Sequence, residues 1–168
     1  MDLNKADHVV SKMKEEFTLS FLVNGQKHEL PVQASARLVD ILREKVNLTG
    51  TKVSCGIGRC GACSVLLDGQ LVNACLVMAY QVNGKSVLTI EGVGTDGNRN
   101  IQEAFLHEGG FQCGYCTSGM IMAVKALVDA VPNPTEEDIK EALSGNLCRC
   151  TGYGGIIRAV QRLANGNA

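Results

Sequence analysis

The chain has 168 residues, with 16 Lys and Arg against 17 Asp and Glu and a formal charge of −1. So balanced a chain, without a long Lys/Arg run, lacks the electrostatic footprint of a nucleic-acid binder. No apolar run approaches the roughly 20 residues of a membrane span, because Lys125 and Asp129 interrupt the best candidate, residues 120–131. The N-terminal M-D-L-N-K-A-D-H is charged and has no secretory apolar stretch, so the expected location is cytoplasmic, where thiols stay reduced.

Residues 1–16 read as a polar extension. F-T-L-S-F-L-V then alternates, meets Asn24–Gly25 and continues as K-H-E-L-P-V, the pattern of two strands joined by a tight hairpin. Leu38, Ile41, Leu42 and Val46 recur at helical spacing, which predicts a short helix ending near Asn47. The segment from Gly50 to Cys63 is too glycine-rich to be regular. S-V-L-L, an Asp68–Gly69 turn, Q-L-V-N-A-C-L and S-V-L-T-I complete a small α+β sheet domain spanning 17–94.

After the polar stretch T-D-G-N-R-N the period changes, and residues 95–168 read as a helical domain. Ile101, Ala104 and Phe105 open a first helix, and Ile121, Val124, Leu127, Val128 and Val131 stripe a second. Thr135 caps a third, with Asp138 as its capping-box partner and Gly145 as its stop. Ile156, Ile157, Val160, Leu163 and Ala164 mark a fourth. Each half is small enough that a metal centre tying distant segments together would supply stability its core lacks.

The eight cysteines divide into two groups of four. Cys55, Cys60, Cys63 and Cys75 have the C-x4-C-x2-C plus distant cysteine spacing of a plant-type [2Fe–2S] site. Such a site needs a backbone that can approach bridging sulfides, and the glycines between these cysteines allow that. Cys113, Cys116, Cys148 and Cys150 form the second group and fall at two turns, between the first and second helices and between the third and fourth. In an antiparallel bundle both turns can lie at one end. Disulfides are disfavoured by the expected compartment. Structural zinc fits the first loop poorly, but for the second group it stands beside iron–sulfur and beside inert buried thiols.

Other residues say less. Arg59 reads either as a positive charge at the rim of the first group or as a solvated surface residue. His8, His28 and His107 have no partner at ligand spacing. Gly56-Ile57-Gly58-Arg59-Cys60-Gly61 matches G-x-G-x-x-G inside the cysteine loop and not between a strand and a helix, so it is no nucleotide fingerprint. No catalytic triad, carboxylate pair or phosphate loop is recognisable. An electron carrier with two centres, a free-standing two-cluster ferredoxin and a zinc-stabilised interaction module are the functional readings these residues support.

Three strings, T-G-T-K-V-S-C-G-I-G-R-C-G-A-C-S-V-L-L-D-G, Q-C-G-Y-C-T-S-G-M-I-M and G-N-L-C-R-C-T-G-Y, closely resemble the iron–sulfur subunit of the molybdenum hydroxylases, the xanthine oxidase family. The resemblance runs from about residue 17 to residue 164. It implies a plant-ferredoxin-like β-grasp domain, then a four-helix-bundle-like domain, each with a [2Fe–2S] cluster on its four cysteines. It further implies a large molybdenum–pterin subunit, a medium FAD subunit, a dimer of heterotrimers, and no substrate chemistry on this chain. By the same resemblance the helical cluster lies nearer molybdenum and the sheet cluster nearer the flavin, and Gln112 and Cys150 contact the pterin. Ser118 and Gly154–Gly155 depart from the family pattern and are expected to affect packing against the large subunit.

Overall fold

The structure, a computed structural model, describes residues 16–94 and 100–165. The predicted N-terminal extension, apart from Glu16, and residues 95–99 of the predicted polar stretch lie outside the described residues.

Strands β1 (Glu16–Val23) and β2 (Gln26–Gln33) form the predicted hairpin, with Val23 opposite Gln26. Its two-residue turn needs positive φ twice, and Asn24 (51°) and Gly25 (80°) supply it. Helix α1 (Leu38–Asp40) runs on as a π-turn over Ile41–Lys45 and stops before Asn47, which is left-handed at φ 63°. Strands β3 (Ser64–Leu67) and β4 (Gln70–Asn73) meet at Asp68 and Gly69 in a second hairpin of the same kind. A short helix α2 (Ala79–Val82) follows, which the sequence pattern does not predict.

Strand β5 (Ser86–Leu88) is shorter than the predicted S-V-L-T-I. Its end is set by the amide of Thr89, which donates 2.9 Å to the Asn24 side chain instead of continuing the ladder. Ile90–Gly92 then coil into a 3-10 turn. The sheet order is β2-β1-β5-β3-β4, with β5 parallel to β1 and antiparallel to β3. Alternation along β1 sends Leu19, Phe21 and Val23 into a core shared with Leu38, Val39, Ile41 and Leu42 of the α1 segment.

The four predicted helices are present as α3 (Asn100–His107), α4 (Thr117–Ala130), α5 (Glu136–Leu143) and α6 (Gly154–Ala164). Thr135 and Asp138 form the predicted capping box: the Thr135 hydroxyl accepts the Asp138 amide at 3.2 Å, and the carboxylate accepts the Thr135 amide at 2.7 Å. Hydrogen bonds from Thr135 hold the Asp138 carboxyl below the usual range, so the cap is intact at neutral pH and is lost as the pH falls through that lowered value. Phe105, Met120, Val124, Ile139, Ile156 and Val160 fill the helical core.

The halves are joined through β3, which is buried on both faces: Val65 belongs to the sheet core and Leu66 to the helical core. At the same joint α4 touches backbone, since a Cβ on Gly119 would overlap the carbonyl oxygen of Gly61 and come within 3.1 Å of Ala62 Cα. Backbone cannot yield as a flexible side chain can. Gly119→Ala is therefore expected to destabilise the chain by about 1–3 kcal/mol, lowering the midpoint of thermal unfolding by about 2–4 °C per kcal/mol. A midpoint equal to that of the unmodified chain would contradict this packing.

Candidate metal centres

The first cysteine group lies on the loop before β3 and in the turn just after β4, where Cys75 sits beyond the strand end rather than on it. Gly56, Gly58 and Gly61 hold φ of 67°, 74° and 68°. This left-handed winding turns successive amides inward. Ile57 and Arg59 N–H donate to Cys55 Sγ at 3.5 and 3.3 Å, and Gly58 N–H donates to Cys75 Sγ at 3.3 Å. The Ile57 amide leads the effects that pull the Cys55 thiol down to about 6. Burial dominates at Cys63 and pushes its thiol up to about 12.

The second group lies where predicted, at the α3–α4 and α5–α6 turns, and these turns do meet at one end of the bundle. Cys113 and Cys150 are exposed, with sulfurs 3.7 Å apart. Cys116 and Cys148 are half-buried and in contact, and burial raises Cys116 to about 12. Burial is the largest effect at Cys148 and acts to raise it, but hydrogen bonds from Thr151, the Cys150 amide and Cys116 together outweigh burial and leave that thiol lowered to about 7.

In both groups the thiols converge in pairs. Cys55 meets Cys60 and Cys63 meets Cys75; Cys116 meets Cys148 and Cys113 meets Cys150. Two pairs per group is the arrangement that two irons, each taking two thiolates, require. The inward amides add the donors such a centre uses to offset its negative charge.

Several supporting residues went unread in the sequence. Tyr153 accepts the Cys148 amide at 2.9 Å and donates to the Asn146 carbonyl at 3.0 Å, closing the N-L-C turn. Asn146, 3% exposed, donates to the Gly61 carbonyl at 3.1 Å. Tyr115 donates to the Val53 carbonyl. The Arg37 guanidinium is held by Asp40 at 2.7 Å and reaches Gly56 of the first cysteine loop. The basic group facing the first site is thus Arg37, from a distant turn, whereas Arg59 is exposed and contributes its amide. Asn146 and Tyr153 stand in the motif strings, so proximity to the cysteines was their only signal; Arg37 had none.

Gln112 is exposed beside Cys113. Of the family departures, Gly155 packs within the chain, where a Cβ would lie 2.7 Å from the Glu108 carbonyl oxygen at the end of α3. The hydroxyls of Thr117 and Ser118, at the start of α4, are buried with no hydrogen-bond partner among the described residues.

Residues 21–85 match the family described as 2Fe-2S iron-sulfur cluster binding domain, and residues 89–161 match the [2Fe-2S] binding domain family. A probable xanthine dehydrogenase subunit of Bacillus subtilis is 56% identical over 163 residues, 97% of this chain and 92% of that protein. The nicotinate dehydrogenase small FeS subunit of Eubacterium barkeri is 44% identical over 89% of this chain and 99% of its own length. Among solved structures, quinoline 2-oxidoreductase of Pseudomonas putida 86 superposes with a TM-score of 0.85 at 37% identity, over 92% of this chain and 97% of the matched chain. In aldehyde oxidoreductase of Desulfovibrio gigas, also at 0.85, the match covers 90% of this chain but 18% of the other, so there the same unit is part of a longer polypeptide. With an iron–sulfur family over each half, the chain carries two [2Fe–2S] clusters, and a zinc-stabilised module is not favoured.

If the two groups hold separate centres, two irons in each give four per chain. Cys55→Ser is expected to reduce iron by half and remove one of two paramagnetic signals, and Cys113→Ser to remove the other. Iron assay with electron paramagnetic resonance checks this. Loss of both signals from either substitution would mean that the groups are not independent.

Proposed function

Because the chain belongs to the small iron–sulfur subunits of the molybdenum hydroxylases, we propose that Cys55, Cys60, Cys63 and Cys75 hold one [2Fe–2S] cluster and Cys113, Cys116, Cys148 and Cys150 the other. Residues 17–94 and 95–168 are then the two cluster domains. Its role is that of an electron-transfer subunit of a multi-subunit oxidoreductase. When bound, each cluster supplies a one-electron acceptor and donor. The chain's own residues bring the two sites together and bury Cys63 and Cys75 of the first.

The observation that carries this reading is a hydrogen bond between the ligand loops. Leu147 N–H donates to the Cys60 carbonyl at 2.9 Å, and Leu147 is bonded to Cys148. A ligand residue of one site is thus connected to a ligand residue of the other through one peptide segment and one hydrogen bond. Asn146, on the same turn, adds its bond to Gly61. Such a connection gives a short route between the two ligand loops, which suits electron exchange between centres.

The outward ends of this path suggest where partners sit. At the helical site Gln112, Cys113 and Cys150 are exposed, with Phe111 beside them. We assign this end to a large molybdenum–pterin subunit, with Gln112 and Cys150 touching the pterin. At the sheet site Ile57 and Leu76 are 60% and 54% exposed. That apolar rim suits a covered surface, and we assign it to a medium FAD subunit, in a complex that is a dimer of heterotrimers. No helix among the described residues is long and apolar enough to cross a membrane, and a cytoplasmic complex is proposed.

The chain alone is expected to exchange electrons with dithionite and dyes while hydroxylating no purine, aldehyde or N-heterocycle. In the complex, Gln112→Ala is expected to keep all iron yet slow cluster reduction by substrate about 2–10-fold, the effect of one hydrogen bond. Rapid mixing monitored by cluster absorbance measures it. An unchanged rate would remove Gln112 from the pterin contact, and hydroxylation by the isolated chain would overturn the assignment of substrate chemistry to a partner.

A further inference from the structure

The residue after the helical site's paired cysteines offers more than spacing. Thr151 Oγ1 lies 3.1 Å from Cys148 Sγ, and the Thr151 amide lies 3.5 Å from the same sulfur. The same hydroxyl oxygen accepts the Tyr153 amide at 3.2 Å. A hydroxyl has one hydrogen to give and two lone pairs. With a lone pair taken by Tyr153, the hydrogen is left for the sulfur, and a thiolate bound to metal can only accept.

The loop is strained to achieve this. Gly152 and Tyr153 are consecutive left-handed residues at φ 60° and 64°, and Tyr153 carries a Cβ that disfavours the conformation. It is held there by the two bonds of its phenol to the Cys148 amide and the Asn146 carbonyl. The phenol thus anchors the turn whose amide orients the Thr151 hydroxyl. At the sheet site, by contrast, Cys55 and Cys75 receive backbone amides.

We infer that Thr151 sets the reduction potential of the helical-half centre by donating its hydroxyl hydrogen to Cys148, an inference that rests on the ligand assignment proposed above. With a [2Fe–2S] cluster held there, one electron supplied by a partner's reduced cofactor or by dithionite would reduce one ferric ion to ferrous, break no bond and place added negative charge partly on the thiolate sulfurs. A hydrogen bond strengthens as its acceptor becomes more negative. The donor therefore stabilises the reduced form more than the oxidised one and raises the potential.

The test is a dithionite redox titration of the intact complex, followed by electron paramagnetic resonance, in which each centre is read separately. Thr151→Val keeps the side-chain shape but not the donor; it is expected to shift the helical-half midpoint to lower potential and leave the sheet-half midpoint in place. Thr151→Ser restores the donor and is expected to return the midpoint to that of the unmodified complex. An unmoved midpoint in Thr151→Val, or an equal fall in Thr151→Ser, overturns the inference, the latter by showing that the methyl group and not the hydroxyl matters. If Thr151→Val loses iron, the smaller Thr151→Ala is titrated instead and read by the same two outcomes. Cys148→Ser separates the inference from its premise: persistence of an unaltered helical-half signal would sink the ligand assignment, whereas its loss beside an unmoved Thr151→Val midpoint would sink only the role of Thr151.

Discussion

The carbonyl of Gly61 is the point on which both cysteine groups depend. It accepts the Ser64 amide at 3.1 Å, the Ser64 hydroxyl at 2.8 Å and the Asn146 side chain at 3.1 Å, while its oxygen packs against Gly119 of α4. Gly61 lies between Cys60 and Cys63, and Asn146 lies two residues before Cys148. One peptide oxygen therefore fixes the loop of the first site, the turn of the second and the close approach of α4. Each of those bonds satisfies a polar group in a region withdrawn from water, where an unpaired donor would cost about 1–3 kcal/mol.

Close backbone approach is the recurring device. Gly119 permits it between α4 and the cysteine loop, and Gly155 permits it between α6 and the end of α3. Together they seat the four helices around Phe105, Met120 and Ile156 while β3 gives Leu66 to that core and Val65 to the other. The consequence for function is that the two thiol groups are held by one continuous packed joint. Their separation cannot drift as it would across a linker, and electron exchange depends on a fixed separation.

The thiol environments differ in a way that matters for chemistry. Cys63 and Cys75 lie in the sheet core, 3% and 2% exposed, whereas Cys113 and Cys150 face outward. Burial opposes thiolate formation at Cys63 and Cys116, and inward donors oppose that effect at Cys55 and Cys148. Assembly of the clusters must therefore supply positive charge where burial resists ionisation, which iron does. The exposed pair at the bundle end leaves one side of the helical site for a partner.

Much of this was legible in the chain. The two hairpins followed from Asn24–Gly25 and Asp68–Gly69, because only residues tolerant of positive φ fit those turns. The helices followed from apolar periodicity and from the Thr135 cap, and the division of the cysteines into two sets of four from their spacing, all of which are local properties. What the sequence did not contain was anything requiring distant residues to meet. That Arg37 reaches Gly56 of the first cysteine loop, that β5 ends where Thr89 turns to Asn24, and that Leu147 reaches Cys60 are consequences of packing. The short helix α2 gave no signal, since four residues carry no period. Spacing alone likewise left zinc and iron open at the second group; the pairing of the thiols, decided by how two turns meet at one end of a bundle, exists only in three dimensions.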